Sequence, residues 1–408
     1  MVNLGINGII LRVKGNLGEM QSLPILGKTM EQWVEDAVNV PCVTVEASTV
    51  INIAEKIRPL LDRTKPITVV LYGYTPLVTA KTVENAVRQL TEQKLNAFDL
   101  PRGGVYKTEY LYGLDSFFAQ EPNAAAGEFK AVTDCESLSF VTDALRRRIL
   151  SFHASRGVLI TDFNNVYIDN GVVIERGAVV EPCNFIKGKT VIKSGAHIMP
   201  GNYIENCIIG SGARIDSSRL YESYVGEETR VGPFAYIRPN SVIGKGCRIG
   251  DFVELKSCVI GDGSKVSHLS YIGDAELGAE CNVGCGVVFA NYDGKNKYKS
   301  IVGNRVFIGS NANIIAPVYI ADRAFIAAGS TVTDNVPAEA LAVARARQVN
   351  IPHWKGNLYA PPTGGGASPH RLIQDEDGII DGAASDADNA APTAQNGGGN
   401  AGSGEQPK

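Results

Sequence analysis

The sequence predicts an α/β domain, then a parallel β-helix, and finally a disordered C-terminal tail, and three observations support this prediction. An apolar residue, usually branched, recurs about every six residues between Ile168 and Val332. Residues 1–158 instead alternate between strand-like apolar runs and amphipathic helical segments. From Tyr359 onward, Pro, Gly, Ala, Asn and Asp dominate, and this composition is typical of disordered chains.

The six-residue period is the main evidence for the β-helix. A mostly small residue stands two positions before many of the apolar residues, as Ala196 does before Ile198 and Ala312 before Ile314. In a strand, positions i and i−2 share a face, so each hexad sends one large and one small side chain inward. Gly, Asn, Asp and Ser between them allow sharp turns. Three hexads then form a triangular coil of about eighteen residues. An ordinary β-sandwich is the alternative.

Residues 1–158 contain the predicted α/β elements. Strands are expected at 6–11 and 67–72, and helices at 29–38, 48–63, 82–93 and 138–154. The run Arg146, Arg147 and Arg148 in the last helix predicts a solvated face, with a phosphate contact as the alternative. The predicted domains are 1–158 for the α/β domain, 159–335 for the β-helix, 336–358 for a C-terminal arm and 359–408 for the tail.

Charge and cysteine usage limit the possible partners. The chain has a net charge of −4, and residues 365–408 hold two basic and seven acidic residues. The nearly neutral remainder predicts no binding to nucleic acid or to an anionic membrane. Neither a membrane-spanning apolar run nor a signal pattern is apparent, so a cytoplasmic location is expected. The eight cysteines form no CxxC pair, so we expect packed thiols and no metal site.

One interruption of the period is the first candidate for function. Val302 follows Phe289 at a spacing of thirteen residues instead of six, and the chain between them includes the polar segment 291–300. Loops that leave a solenoid on one face often carry binding residues. A tolerated surface loop is the alternative interpretation.

The segment 231–347 carries several short motifs beyond the period. They are GPFAYIRP at 232–239, DFVELK at 251–256, SHLSYIGDAE at 267–276, NYDG at 291–294 and AEALAVAR at 338–345. In order and spacing they resemble the acetyltransferase half of the bifunctional UDP-N-acetylglucosamine pyrophosphorylase and glucosamine-1-phosphate N-acetyltransferase family. The resemblance implies a left-handed β-helix, a homotrimer with each site at a subunit contact, acetyl-CoA as co-substrate and an amino-sugar phosphate as acceptor.

The same resemblance assigns roles to individual residues. His268 becomes the general base, although a lone histidine is more often structural, because a sugar ammonium must lose a proton before it attacks a thioester. Glu254 is the expected orienting partner of His268. Substrate contacts are implied for Arg238, Lys256, Tyr271, Asn282 and Lys297, of which the three cations would bind phosphate. Cofactor contacts are implied for Cys285, Asn291, Tyr292, Ser310, Ala328 and Arg345. The family commonly has Ala where this chain has Cys285, but the backbone N–H that would stabilise an oxyanion is unchanged.

The first half resembles the pyrophosphorylase half of this family with important departures. The segments NGIIL at 7–11 and LGKTM at 26–30 match, but Glu19 stands where the family has a phosphate-binding Arg. Tyr74 replaces the Asp that binds Mg²⁺, and a phenol cannot replace a carboxylate there, while Asp134 could hold a metal only alone. We therefore predict a degenerate domain that has lost uridylyl transfer and would need Mg²⁺ only if active. A retained pyrophosphorylase activity and a non-catalytic, ligand-binding or scaffolding trimer remain alternatives.

Overall fold

The computed structural model describes residues 5–13, 24–48, 51–117, 127–352 and 354. The chain divides into two compact units, Met1–Ala346 and Arg347–Lys408. The predicted tail at 359–408 and Glu19 lie outside the described residues. The fold class is confirmed as an α/β domain followed by a left-handed parallel β-helix.

The α/β domain contains a five-stranded mixed sheet with the strand order β2-β1-β3-β5-β4. Strand β1 pairs in parallel with β2 and β3, whereas β5 runs antiparallel to β3 and β4. The strands are β1 Ile6–Val13, β2 Cys42–Ala47, β3 Ile67–Tyr72, β4 Ala97–Leu100 and β5 Gly103–Lys107. The helices are α1 Met30–Val38, α2 Ala54–Ile57, α3 Ala80–Glu92, α4 Thr108–Tyr112 and α5 Cys135–Ser155, with short 3₁₀ helices at Arg58–Leu60 and Gly127–Phe129.

The sequence predicted strands β1 and β3 and helices α1, α3 and α5, missed β2, β4, β5 and α4, and is wrong in one segment. Helix α1 begins after Thr29, whose hydroxyl accepts the Gln32 N–H as an N-cap, as its residue type favours. The predicted helix 48–63 is wrong. Among the described residues 51–63, the α-helix ends at Ile57 and a 3₁₀ turn follows, because Pro59 has no N–H to donate.

Three parallel sheets form the faces of the β-helix in the described residues. Face I comprises β6 Leu159–Ile160, β9 Val179–Val180, β12 His197–Ile198, β15 Arg214–Ile215, β18 Arg230–Val231, β21 Arg248–Asp251, β24 Lys265–His268, β27 Asn282–Val283, β30 Phe307–Ile308, β33 Phe325–Ile326 and β35 Leu341–Ala342. Face II comprises β7 Val166–Ile168, β10 Asn184–Lys187, β13 Tyr203–Glu205, β16 Arg219–Tyr221, β19 Tyr236–Ile237, β22 Glu254–Lys256, β25 Tyr271–Gly273, β28 Val288–Ala290, β31 Asn313–Ile315 and β34 Thr331–Val332. Face III comprises β8 Val173–Ile174, β11 Val191–Ile192, β14 Ile208–Ile209, β17 Tyr224–Val225, β20 Val242–Ile243, β23 Val259–Ile260, β26 Ala275–Leu277, β29 Ser300–Val302 and β32 Tyr319–Ile320.

The predicted inward residues form the core of the β-helix. Ile198 and Ile314 are fully buried, and so are the small residues Ala196 and Ala312 that precede them. The coil length varies, since Ile198 pairs with Val180 eighteen residues earlier whereas Val231 pairs with Ile215 sixteen residues earlier. Leu220 is a further buried position that the strict period misses, because two five-residue steps occur there.

Helix α5 leads into the first coil of the β-helix, and the position of its residue Arg146 differs from the prediction. Arg146 is buried, donates to the Phe163 carbonyl and lies with its guanidinium carbon 5.4 Å from the Tyr167 ring centroid. The predicted solvated face is therefore wrong for Arg146, whose charge-assisted bond and ring contact join helix to coil. Arg147 and Arg148 are exposed, as predicted.

Candidate functional site

The first group of predicted site residues lies where the chain turns from face II to face III, a region we call the cation corner. Arg238 follows β19, Lys256 ends β22, and the Arg238 N–H donates to the Leu255 carbonyl at 2.8 Å, which places the two cations in neighbouring coils. An Arg238 guanidinium nitrogen is 2.9 Å from Glu254 Oε1. Tyr271 pairs with Glu254 in the next strand of face II. These four predicted residues are therefore brought together.

Asp274 organises the cation corner although it was not predicted as a site residue. Its Oδ2 lies 3.7 Å from Lys256 Nζ and also accepts a hydrogen bond from the Asn291 amide. The Asp274 backbone N–H donates to the Lys256 carbonyl at 3.0 Å. One carboxylate therefore holds a predicted phosphate ligand beside a predicted cofactor ligand.

The interrupting loop, residues 291–299, is a small hairpin that leaves the cation corner. Tyr292 pairs with Lys297 across it, and Asp293 Oδ1 accepts the N–H groups of Lys295 and Asn296, both at 2.7 Å. The Lys297 ammonium beside Lys256 lowers the pKa of Lys256, burial lowers it further, and Asp274 opposes the shift. Two lysines held together in this way would be stabilised by a bound anion such as phosphate.

The second group lies where the chain turns from face I to face II, which we call the histidine corner. Strands β21 and β24 place Asp251 directly beside His268, and Asp251 Oδ1 lies 2.5 Å from His268 Nδ1. This hydrogen bond lowers the pKa of Asp251. Half of the His268 side chain is exposed, so a ligand can reach it. The predicted pairing of Glu254 with His268 is not present in the described chain, because Glu254 faces Arg238 and Asp251 occupies the position beside the imidazole.

Four predicted cofactor residues continue along the histidine corner toward the C-terminus. The Gly286 N–H donates to the His268 carbonyl at 3.4 Å, which places Cys285 in the coil next to His268. The Asn311 N–H donates to the Cys285 carbonyl, and the Gly329 N–H donates to the Ser310 carbonyl, both at 2.8 Å. Ala328 therefore lies in the coil after Ser310. Arg345 Cδ lies 3.8 Å from the position that a Cβ on Gly329 would occupy, so Arg345 is the last of these four residues along the histidine corner.

The two corners flank face II, and one predicted residue lies outside this arrangement. His268 and Asp274 are six residues apart, which is roughly 20 Å of extended chain. Asn282 is instead the outward residue of face I, since Val283 beside it is buried. In one chain, Asn282 does not face the same surface as the cation corner.

Sequence reasoning missed Asp251 and Asp274, although each left a signal. Asp251 stands seventeen residues before His268, close to the length of one coil, so the period alone places them side by side. Asp274 lies within the motif 267–276 and immediately follows a strand of face II. Carboxylates at coil spacing from a candidate base or cation are therefore the signal to search for.

The α/β domain places its predicted residues in structural contacts. The Tyr74 side chain is buried, its ring centroid is 5.4 Å from that of Tyr72, and burial raises its pKa to about 12. At the end of β1, Arg12 makes two hydrogen bonds of 2.6 Å to Glu31. The Asp134 carboxylate accepts the Ser137 N–H at 2.8 Å and caps helix α5. The described part of this chain contains no group of three or more His, Cys, Asp or Glu side chains suited to a metal ion.

Known proteins match the part of the chain that contains both corners. The family described as "GMPPB C-terminal domain" matches residues 219–350. The bifunctional protein GlmU of Clostridium novyi is 52% identical over 227 residues, which is 56% of this chain and 50% of that protein. The resemblance to GlmU is confirmed for about half of the chain. The GlmU of Clostridium acetobutylicum is 49% identical over the same shares of the two chains.

The chain spans about half the length of the GlmU proteins it matches. Among solved structures, a UDP-N-acetylglucosamine acyltransferase from Francisella novicida aligns with 46% of this chain and 67% of its own, at 17% identity and a TM-score of 0.27. Within the described residues, every helix is too short or too polar to cross a bilayer.

Proposed function

We propose that this chain is a glucosamine-1-phosphate N-acetyltransferase that uses acetyl-CoA and serves UDP-N-acetylglucosamine biosynthesis. The observation that carries the proposal is that face II has a cluster of cations at one edge and a carboxylate-paired imidazole at the other. An amino-sugar phosphate has the matching chemistry, with an anionic phosphate close to an amine. The similarity to GlmU lies in the C-terminal half of the chain, where both edges are found.

The proposed reaction uses the two corners for different tasks. Arg238, Lys256 and Lys297 bind the phosphate, and Tyr271 contacts the sugar. His268 takes a proton from the amine, whose lone pair attacks the acetyl carbonyl of the thioester. The tetrahedral intermediate is stabilised by a backbone N–H near Cys285 and then releases the CoA thiolate, which is protonated as the amide forms.

Acetyl-CoA would lie along the histidine corner, and a second copy of the chain would complete the site. Ser310, Ala328 and Arg345 line that corner, whereas the other predicted cofactor residues, Asn291 and Tyr292, stand at the cation corner. Asn282 is an outward residue of face I and does not face the surface of the cation corner. A homotrimer would bring these residues to one ligand by placing different surfaces of neighbouring copies together.

An exposed apolar stripe on face III offers a surface for such an association. Its outward side chains in seven strands are apolar and 40–53% exposed, namely Val173, Ile208, Tyr224, Val242, Val259, Ile301 and Tyr319. Glu276 interrupts the stripe between Val259 and Ile301, but exposed apolar surface of this kind marks contact sites between proteins. We expect a trimer in solution, which light scattering would measure, and a cytoplasmic enzyme of cell-envelope precursor synthesis.

The test is an acceptor screen with the purified full chain. Release of free CoA thiol is followed with glucosamine 1-phosphate, glucosamine 6-phosphate or glucosamine as acceptor. We expect turnover with glucosamine 1-phosphate that is lost in His268→Ala, while the thermal melting of the variant is unchanged. Turnover that His268→Ala does not affect would contradict the proposal. Calorimetric binding of acetyl-CoA without turnover on any acceptor would favour a ligand-binding trimer instead.

We further propose that the α/β domain has lost uridylyl transfer. Two observations support this. Tyr74 is a buried phenol and offers no carboxylate for Mg²⁺, and the Asp134 carboxylate is engaged in capping helix α5. The purified chain is incubated with UTP, N-acetylglucosamine 1-phosphate and Mg²⁺. Pyrophosphate release above that of a heat-denatured sample would show that the activity remains.

A further inference from the structure

We propose that Asp251, rather than Glu254, is the residue that positions His268 for proton transfer. The proposal rests on the acetyltransferase function proposed above and identifies how its base is held. Asp251 would not touch either substrate. It would act through the imidazole, as a positioning residue.

The geometry of the pair supports this role. Asp251 Oδ1 lies 2.5 Å from His268 Nδ1, and the backbone joins the same two strands, since the Leu269 N–H donates to the Asp251 carbonyl at 3.0 Å. An ionised carboxylate can only accept, so Nδ1 carries the proton. The other ring nitrogen, Nε2, then keeps its lone pair and can accept a proton from the substrate amine.

The local backbone is built to bring Asp251 and His268 together. Among the described strands of face I, β21 and β24 are four residues long, and the other nine are two residues long. The additional residues are Gly250–Asp251 and Ser267–His268. A Cβ on Gly250 would stand 1.9 Å from the Ser267 carbonyl oxygen, so only glycine permits the strands to remain paired here.

Each strand then turns a corner directly after the pair. Phe252 and Leu269 have φ values of 54° and 49°, the left-handed region that bulky residues rarely adopt. The chain therefore ends the strand extension at the same point in both coils. Both side chains of the pair stay accessible, with 34% of Asp251 and 50% of His268 exposed.

Neighbouring groups do not replace Asp251. Glu254 is engaged by Arg238 at 2.9 Å and belongs to face II. Arg248, two strand positions before Gly250, acts on the Asp251 carboxylate, and Lys265 occupies the corresponding position on the strand of His268. Cys285 lies in the following coil. Asp251 is thus the carboxylate in hydrogen-bond contact with His268 in the described chain.

The path of the proton defines the role of the Asp251–His268 pair. The amine proton moves to Nε2 as the carbon–nitrogen bond forms, and the imidazole becomes a cation. Asp251 remains ionised and stabilises that cation through the Nδ1–H bond. The proton later leaves Nε2 for the departing thiolate sulfur, which restores the neutral imidazole.

The experiment compares Asp251→Asn, Asp251→Glu and the matched control Glu254→Gln in the full chain. We expect Asp251→Asn to lower kcat about 10- to 100-fold with both KM values within about twofold, because orientation and not binding is lost. The acidic limb of kcat/KM should move to lower pH, and Asp251→Glu should restore part of the rate. Glu254→Gln should instead raise KM for the sugar phosphate, because Arg238 loses its partner. The proposal would be overturned if Asp251→Asn kept the wild-type kcat and pH profile. It would also be overturned if Glu254→Gln showed the same fall in kcat and the same pH shift as Asp251→Asn.

A second measurement tests the pair without turnover. Carbethoxylation of His268 by diethyl pyrocarbonate is followed by peptide mass spectrometry as a function of pH. We expect the midpoint of reactivity to fall in Asp251→Asn and to stay unchanged in Glu254→Gln. An unchanged midpoint in Asp251→Asn would overturn the pairing even if the enzyme is active. An altered midpoint in an enzyme without turnover would support the pairing and contradict the proposed function.

Discussion

Replacement of Lys256 by glutamine should weaken binding of the sugar phosphate selectively. The Lys256 side chain is 17% exposed, lies 3.7 Å from Asp274 and faces Lys297. Glutamine keeps most of the stem and removes the charge. The site then loses one of three cations, and the Asp274 carboxylate loses a neutralising partner while still facing the phosphate.

The magnitude follows from the kind of contact that is lost. A hydrogen bond to a charged group contributes about 1.5–3 kcal/mol. Loss of one such contact corresponds to a KM for glucosamine 1-phosphate that is roughly 10- to 100-fold higher. We expect kcat within about threefold, since the Asp251–His268 pair at the other corner is unchanged. KM for acetyl-CoA should not change.

Initial rates of thiol release at varied concentrations of each substrate measure these constants. Lys245→Gln is the matched control, because that lysine is exposed, pairs with Glu227 at 3.2 Å and lies outside both corners. An unchanged KM for the sugar phosphate in Lys256→Gln, or an equal rise in both KM values, would refute the reasoning. Since Lys297 and burial lower the pKa of Lys256, its charge is lost earlier than usual as pH rises. The wild-type KM for the sugar phosphate should therefore increase at alkaline pH, and this increase should be weaker in Lys256→Gln.

Two further predictions concern the β-helix itself. Ile314 is fully buried, so Ile314→Ala should lower the free energy of unfolding, measured by urea titration, by about 2–5 kcal/mol. Its outward neighbour Ile315 is 36% exposed, so Ile315→Ala should lower the free energy of unfolding by less than about 1 kcal/mol. Equal losses for the two variants would contradict the inward and outward assignment. Burial raises the pKa of Cys207 to about 11 and of Cys258 to about 12, so iodoacetamide at pH 8 should label the exposed Cys183 in the native protein and leave those two unlabelled until unfolding. Peptide mass spectrometry measures this, and rapid native labelling of Cys258 would contradict it.

The sequence predicted the elements whose signal is local and missed those that depend on distant partners. Thr29 caps helix α1, and the run at 67–72 is the central buried strand β3, because residue type and periodicity suffice for both. Strands β2, β4 and β5 and helix α4 were not predicted. Strands β4 and β5 are short. Strand β5 pairs antiparallel with β3, which lies more than thirty residues earlier in the chain, and Ile67 is the partner of Lys107. Arg146 was misplaced on a solvated face because its partners, the Phe163 carbonyl and the Tyr167 ring, belong to the first coil.

The sequence alone determined the β-helix, because the apolar side chains that must be buried recur at about every sixth position, and this spacing can be read directly from the sequence. It also supplied the motifs that led to His268 and to the three cations. Only the tertiary structure decided which carboxylate meets which partner, Asp251 with His268 and Asp274 with Lys256. Those contacts join separate coils or turns, and small changes in coil length decide which side chains become neighbours. The same stacking placed Asn282 on face I, away from the surface of the cation corner, because the register of the coils decides which face each residue joins.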